Sequence, residues 1–231
     1  PFDFTNIGGV ATVGNPDLKR AQISNYDLRA EWYYGVGEHL SVAAFYKHFQ
    51  NPIEEGLENA TEVTRTWRNA ISAYSWRLEI EGRLDFGRVW RPLAGLALGG
   101  NLAVIESRVK LDTVESSPET NRERPLQGQS PFVVNVGVEY SHPKAGVTTS
   151  LMFNVAGRRI TAAGKYGTPD YYEEPFPKLD LTLSKKLYTR LQATAGAGNI
   201  LDSRVRYTQG GLPQAVYRPG RTVSLGMTYT L

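Results

Sequence analysis

Apolar and polar residues alternate with a period of two along most of this chain. From Gln22 to Tyr34, one set of alternate positions is apolar and the other is largely charged. Because successive side chains of a β-strand point to opposite faces, this pattern predicts a strand with one apolar and one charged side. A helix would spread both sets around its circumference. The apolar set is Tyr26, Leu28, Ala30, Trp32 and Tyr34, and the other set is Asn25, Asp27, Arg29, Glu31 and Tyr33.

The same alternation recurs along the chain and predicts nine strands in all. Many of them are about 10 residues long or longer, which is the length that a tilted strand needs to cross a bilayer. Aromatic residues lie near the strand ends, as an interfacial girdle requires. The eight further strands are predicted near residues 40–49, 74–81, 96–107, 132–141, 147–155, 179–184, 191–200 and 222–231.

The predicted connections alternate strictly between short and long. Outer-membrane barrels have short periplasmic turns and long extracellular loops, whereas a soluble sandwich has no reason to sort its connections in this way. The short turns lie near 35–38, 85–92, 142–144 and 186–189, and the long loops lie near 51–67, 109–130, 158–177 and 202–220. Within the last loop, segments 205–209 and 214–218 are predicted to form a hairpin-like extension rather than a tenth wall strand.

Nine is an odd number of strands, and this predicts a segment of a larger barrel. Single-chain bacterial barrels have an even number of strands and two periplasmic termini. If the last strand ends in the periplasm, the first begins outside, and residues 1–21 belong to an extracellular loop. Residues 22–231 then supply barrel strands with four long loops. The predicted fold class is all-β: an antiparallel transmembrane β-barrel, of which this chain forms about nine C-terminal strands.

Composition narrows the classes of function. The chain has 231 residues, with 26 Lys and Arg against 23 Asp and Glu, and it has no Cys. This excludes disulfides, a Cys-ligated zinc site and a thiol nucleophile, and the small positive balance argues against a nucleic-acid partner. No apolar stretch reaches the roughly 18 residues that a membrane helix needs. We predict neither a cofactor nor a nucleic-acid partner.

No catalytic or metal centre is predicted, so the chain is interpreted as a non-enzyme. The three histidines, His39, His48 and His142, are too scattered to form a metal site or a Ser-His-Asp set. The acidic pair Glu54–Glu55 and the acidic run within 112–123 are interpreted as exposed charge on mobile loops, because such runs are usually solvated.

Two groups of residues are candidates for functional contacts. Polar residues on the charged side of the strands are predicted to face the lumen and to pair across strands. Two long loops combine cations with aromatic rings, and Arg forks suit carboxylates and phosphates while aromatic faces suit sugars or flat chelates. The lumen-facing set is Asp27, Arg29, Glu31, Arg77, Glu79, Glu81, Asn135, Glu139 and Asp180. The loop set, predicted to bind substrate, is Arg65, Trp67, Arg68, Arg158, Arg159, Lys165, Tyr166, Asp170, Tyr171 and Tyr172.

Short motifs that follow one another in order resemble the TonB-dependent outer-membrane receptors. The sequence GNPDLK at 14–19, followed by SNYDL at 24–28, resembles one segment of that family. Each motif alone is weak, and the ordered set from residue 14 to the end of the chain carries the resemblance. The other motifs are LSVAAFYK at 40–47, NPIE at 51–54, QGQSP at 127–131, GRR at 157–159, LDL at 179–181, NILD at 199–202 and GRT at 220–222.

The resemblance implies a barrel of about 22 strands with a plugged lumen, of which this chain covers the last nine or so, without the plug domain. It implies TonB-energised uptake of a scarce, bulky solute (a siderophore, cobalamin, glycan or peptide) across the bacterial outer membrane. The implied partners are outer-membrane lipid and lipopolysaccharide, the N-terminal strands and plug, TonB through the plug, and a surface lipoprotein. Leu231 stands where family members usually have an aromatic residue, a departure that concerns the barrel-assembly signal.

Two other interpretations remain open from the sequence. One is a self-contained small outer-membrane barrel that acts as an enzyme or adhesin, which requires an even strand count and a cluster of His with carboxylates or Ser at one rim. The other is a soluble β-sandwich binding module, in which the face formed by Tyr26, Leu28, Ala30 and Trp32 packs on a second sheet.

Overall fold

The computed structural model describes residues 12–59, 63–112 and 119–230, and nearly all regular structure in them is β. Helical turns occur at α1 (Phe86–Val89) and as 3-10 turns at Arg91–Leu93 and Pro143–Ala145. The strands are β1 Gln22–Gly35, β2 Glu38–Gln50, β3 Ile53–Asn59, β4 Val63–Asn69, β5 Ser72–Asp85, β6 Leu96–Lys110, β7 Glu123–Arg124, β8 Phe132–His142, β9 Val147–Ala156, β10 Arg159–Ala162, β11 Tyr171–Glu173, β12 Lys178–Tyr188, β13 Leu191–Gly198, β14 Val205–Gln209, β15 Leu212–Tyr217 and β16 Thr222–Tyr229.

Nine of these strands form one continuous antiparallel wall. Its order is β1-β2-β5-β6-β8-β9-β12-β13-β16, so each wall strand pairs with the next wall strand along the chain. The two-residue strand β7 pairs only with the last two residues of β6. The nine wall strands that the alternation predicts are thereby confirmed. In the described part of the chain β1 and β16 are the edges of this wall, so the sheet is open.

The connections differ between the two ends of the wall. Short turns follow β1, β5, β8 and β12, and we call this the turn end; long connections follow β2, β6, β9 and β13, at the loop end. The long connections have strands of their own. One contains the hairpin β3–β4, and two others together form a four-stranded sheet in the order β10-β11-β14-β15. The pairing of β14 with β15 confirms the predicted hairpin in the last loop.

The two faces of the wall differ in chemistry, as the alternation predicts. Large apolar side chains on one face, the apolar face, are exposed: Leu28 by 74% and Trp32 by 55%, for example. A soluble sandwich requires a second sheet over this face, and none of the described residues supplies one. A small closed barrel requires its two edge strands to pair, and β1 and β16 do not pair in the described residues. Within residues 12–59, 63–112 and 119–230 no helix is long and apolar enough to cross a membrane.

Buried apolar packing is confined largely to the loop end. Ala70, Ala73, Val109 and Leu111 form a small core cluster. Phe49 and Leu126 pack against this cluster. A soluble domain of this length would bury most of its large apolar side chains. Here those side chains stay on an uncovered face, which suits a wall whose apolar face is solvated by lipid.

Candidate solute-binding site

The polar face of the wall carries a network of charges across β1, β2 and β5. The guanidinium of Arg29 pairs with Glu31 on its own strand, and its Nη2 lies 3.2 Å from Glu81 Oε2. The Tyr33 hydroxyl donates to Glu31 at 2.6 Å, and His39 Nε2 lies 3.6 Å from Glu81. Because the side chains of Arg29, Glu31, His39 and Glu81 are 27–41% exposed, their pairing contributes little stability and mainly fixes their positions.

An amide ladder continues the network across the middle of the wall. Asn154 donates to Asn135, Asn135 donates to Asn101 at 2.8 Å, and Asn101 donates to Glu79 at 3.2 Å. Nearer the turn end, Arg83 Nη2 donates to Glu139 at 2.6 Å. Two further ion pairs on this face, Arg77–Glu79 and Lys178–Asp180, each lie within one strand rather than across two. The register therefore brings all nine residues predicted to face the lumen to one face, opposite the apolar face.

At the loop end, two buried ion pairs tie the long loops together. Arg124 Nη2 lies 3.1 Å from Glu54 Oε2, and the two side chains are 1% and 10% exposed. Arg68 pairs with Glu119, whose side chain is 2% exposed. The interpretation of Glu54 and Glu119 as exposed charge on mobile loops is therefore wrong, because each carboxylate is the buried counterion of an Arg from another loop. Glu115 lies outside the described residues.

Burial raises the pKa of the Glu54 carboxyl above its ordinary value, because loss of solvent outweighs the attraction of the Arg124 guanidinium. The Arg124 guanidinium does not use all of its hydrogen-bond donors. Its Nη1 donates to Pro125 O at 3.2 Å, while its Nε has no hydrogen-bond partner in the part of the chain that the structure describes. An ion pair this far from water stabilises little on balance, but it is costly to break from one side. The pair therefore fixes the geometry of segment 119–131, which we call the roof.

A cavity of about 490 Å³ lies between the polar face and the roof. From the wall it receives the cation Lys47 and the Arg77 guanidinium, which lies 4.5 Å from the centre of the Phe45 ring. The roof contributes Leu126 and Gln129. The other lining residues are Asn25, Asp27, Phe49, Ser75 and Ile105. Two cations beside two aromatic rings suit a bulky anionic or flat solute.

A second cavity, of about 300 Å³, lies between the roof and the loop that follows β9. The Arg158 guanidinium stacks 3.9 Å above the Tyr172 ring at this cavity and lies 4.0 Å from Glu174. Arg159 donates to Glu173 Oε2 from both Nε, at 3.0 Å, and Nη2, at 2.8 Å. Three residues of the predicted substrate-binding set, Arg158, Arg159 and Tyr172, thus line one cavity.

The remaining members of that set are dispersed. Arg65 Nε lies 3.0 Å from Glu55 in the β3–β4 hairpin, which also carries Trp67 and Arg68. Tyr171 stacks on Tyr207 with ring centroids 5.8 Å apart. Lys165 and Tyr166 lie in the turn between β10 and β11, and Lys165 O accepts a hydrogen bond from Thr168 at 2.6 Å.

The Asp170 side chain is buried and hydrogen-bonded within the protein. It is 2% exposed. Its Oδ1 accepts from Gly164 N and its Oδ2 from Asn121 Nδ2, both at 2.8 Å. Because both carboxylate oxygens are occupied, this side chain holds the β10–β11 loop against the roof.

Sequence reasoning did not identify Lys47, Phe45 or Gln129 as cavity residues. On β2 the polar face also carries Ala43 and Phe49, so the alternation there is weak. The available signal was the antiparallel register, which places Phe45 opposite Asp27 on one side and Arg77 on the other. Gln129 comes from a loop whose fold no periodicity encodes. Among the described residues, no group of three or more His, Cys, Asp or Glu could hold a metal ion.

Comparison with known proteins agrees with this architecture. The family model for the TonB dependent receptor-like β-barrel matches residues 2–200. A comparison with curated protein sequences gives no match.

Solved structures share the fold at low sequence identity. A mutant of the ferric enterobactin receptor PfeA from Pseudomonas aeruginosa aligns over 95% of this chain and 32% of its own, with a TM-score of 0.63 and 20% identity. The siderophore receptor PirA from Acinetobacter baumannii aligns over 95% and 33%, with a TM-score of 0.66 and 18% identity. The copper transporter OprC aligns over 93% and 32%, with a TM-score of 0.67 and 14% identity.

The chain therefore spans about a third of the length of the structures it resembles. Its open wall corresponds to part of their barrels. From the family match and the one-sided antiparallel wall, we conclude that this chain belongs to the TonB-dependent receptor family of bacterial outer-membrane β-barrels.

Proposed function

We propose that this chain supplies the C-terminal wall and four extracellular loops of a receptor for TonB-energised uptake of a scarce, bulky solute. The loop end faces the outside, and the polar face borders the lumen. The plug and the N-terminal barrel strands complete the receptor, and TonB acts through the plug. A siderophore, cobalamin, a glycan or a peptide is the solute class, and a surface lipoprotein is a candidate partner that delivers it.

The observation that carries this proposal is the roofed cavity of about 490 Å³ on the polar face. Loops positioned by a rigid scaffold commonly carry binding residues. Here buried ion pairs fix the roof, and Glu79 and the Phe45 ring hold Arg77 in place on the wall before a solute arrives. The second cavity places Arg158 and Tyr172 beside the same roof. A solute that enters from the loop end would meet the residues of the second cavity first. It would then meet Lys47 and Arg77 in the larger cavity beneath the roof.

The function is tested with the complete receptor that contains this chain, expressed in cells with and without TonB. Labelled ferric siderophores, cobalamin, oligosaccharides and peptides are offered as a panel. We expect uptake of one class, and loss of that uptake without TonB. Uptake that is unchanged in cells lacking TonB would contradict the proposed mechanism.

The site is tested separately with the solute so identified. Lys47→Gln and Arg158→Ala should each weaken binding about tenfold, because each removes a charged hydrogen-bond donor. Arg91→Ala is the matched control, since Arg91 is an exposed cation at the turn end. If all three variants bind as the unmodified receptor does, the solute contacts lie elsewhere.

A further inference from the structure

A cluster of unpaired cations lies at the turn end of β8, β9, β12 and β13. Lys144, Lys185, Lys186 and Arg190 are all exposed, and none forms a hydrogen bond or ion pair with a side chain of the described residues. No Asp or Glu occurs within 140–151, 181–195 or 222–231. These segments of the wall are therefore positively charged with no acidic residue of their own, and the neighbouring Glu139 is paired with Arg83.

The backbone brings these cations together. Lys186 N donates to Gly146 O at 2.8 Å, which ties the Lys144 turn to β12. Lys186 also pairs with Gln192 across the turn that contains Arg190. Because Lys185 and Lys186 are consecutive on one strand, their side chains point to opposite faces. Lys185 pairs with Val147 and Ala193, so it lies on the apolar face.

An apolar groove leads away from Lys185 along β13. Its floor consists of alanines, and its two ridges are the larger side chains that the register places on either side. Ala195, for example, lies between Leu183 of β12 and Leu225 of β16, which are 44% and 85% exposed. The floor is Ala193, Ala195 and Ala197, and the ridges are Leu181 and Leu183 against Val223, Leu225 and Met227.

The dimensions of the groove match one leaflet of a membrane. Ala193 to Ala197 spans four residues, or about 13 Å of strand. One leaflet occupies half of a hydrocarbon core that is about 30 Å thick. Tyr188 and Tyr229 flank Leu191 at the turn end of the groove, and both are exposed. Aromatic residues at the end of a membrane-spanning segment are typical of the membrane–water interface.

We propose that this corner of the wall binds an anionic glycerophospholipid. Its phosphate is held by Lys185 with Lys144 and Arg190 from the flanking turns, and one acyl chain lies in the β13 groove. The charge complementarity of a cation cluster at the mouth of an exposed apolar groove selects a lipid with a negative headgroup. This inference goes beyond solute uptake, because it concerns the lipid-facing side of the wall.

The test uses the complete receptor, purified in nonionic detergent, with phosphatidylglycerol retention measured by native mass spectrometry. Phosphatidylcholine is the uncharged comparison. Lys185→Gln should reduce phosphatidylglycerol retention about fivefold, which is the effect of one Lys near an anionic lipid surface. Lys186→Gln is the matched control: it removes the same charge from the next residue, on the opposite face. Its retention should equal that of the unmodified receptor.

If Lys185→Gln and Lys186→Gln reduce phosphatidylglycerol retention equally, the anion lies at the tips of the turns, where an acidic protein segment could also bind. That result would overturn the proposal. Retention of phosphatidylcholine equal to that of phosphatidylglycerol would also overturn it, as would equally effective competition by inorganic phosphate. The groove is tested with Ala195→Leu, which fills its floor and should reduce retention. Ala44→Leu, on the apolar face of β2, is the control and should not.

Discussion

Removal of the Arg124 guanidinium should open the roof. Arg124 and Glu54 are 3.1 Å apart, and their side chains are 1% and 10% exposed. Arg124→Met keeps most of the aliphatic volume but leaves the Glu54 carboxylate buried without its cation. Breaking a buried pair from one side costs about 3–5 kcal/mol. The free energy of local opening of segment 119–131 should fall by this amount.

Hydrogen exchange of the backbone amides in segment 119–131 measures that opening directly. We expect exchange to accelerate by about two to four orders of magnitude in Arg124→Met, since each 1.4 kcal/mol is about tenfold, while exchange in the wall strands stays unchanged. The double variant Glu54→Leu/Arg124→Met should recover most of the protection, since replacing both buried charges with apolar groups is often neutral or stabilising.

The matched control is Arg159→Met, which breaks the ion pair with Glu173. Those side chains are 44% and 23% exposed, and such a pair is worth about 0–1 kcal/mol. If Arg124→Met accelerates exchange no more than Arg159→Met does, the roof is not held by the buried pair. The cavity would then not be a preformed site.

Three further outcomes follow from other parts of the structure. Burial raises the folded-state pKa of Glu54 above 4.5, so the roof should lose stability as the pH rises from 4.5 through that pKa. Hydrogen exchange, corrected for the intrinsic exchange rate, measures this loss. Glu54→Gln should remove the pH dependence. Gly100→Ala should hinder barrel assembly, because a Cβ there would lie 2.4 Å from a backbone carbonyl oxygen of β8. The defect would be seen as loss of heat-modifiable gel migration. Gly226→Ala is the control and should assemble normally, because a Cβ there would have no atom within 4 Å. Arg83→Ala should leave the thermal midpoint nearly unchanged, because its pair with Glu139 is about 40% exposed, and a large drop would contradict its surface character.

The alternation of residue types determined the wall. A period of two with one apolar face encodes a strand whatever its neighbours are, because successive side chains of an extended chain point to opposite sides. The nine strands, the alternating connections and the one-sided chemistry could therefore be predicted. On β1 and β5, every alternate position from 27 to 31 and from 77 to 81 is charged. The sequence alone therefore indicated which side of these two strands is the polar face.

The tertiary structure alone decided which loop residues meet. Glu54 and Arg124 are 70 positions apart, and no local pattern indicates that one becomes the buried counterion of the other. The cavity likewise depends on strand register and on a roof that returns over the polar face, and both arise from long-range pairing. Periodicity specifies a face along one strand, whereas a site requires several chain segments at fixed distances, and only the folded loops supply those distances.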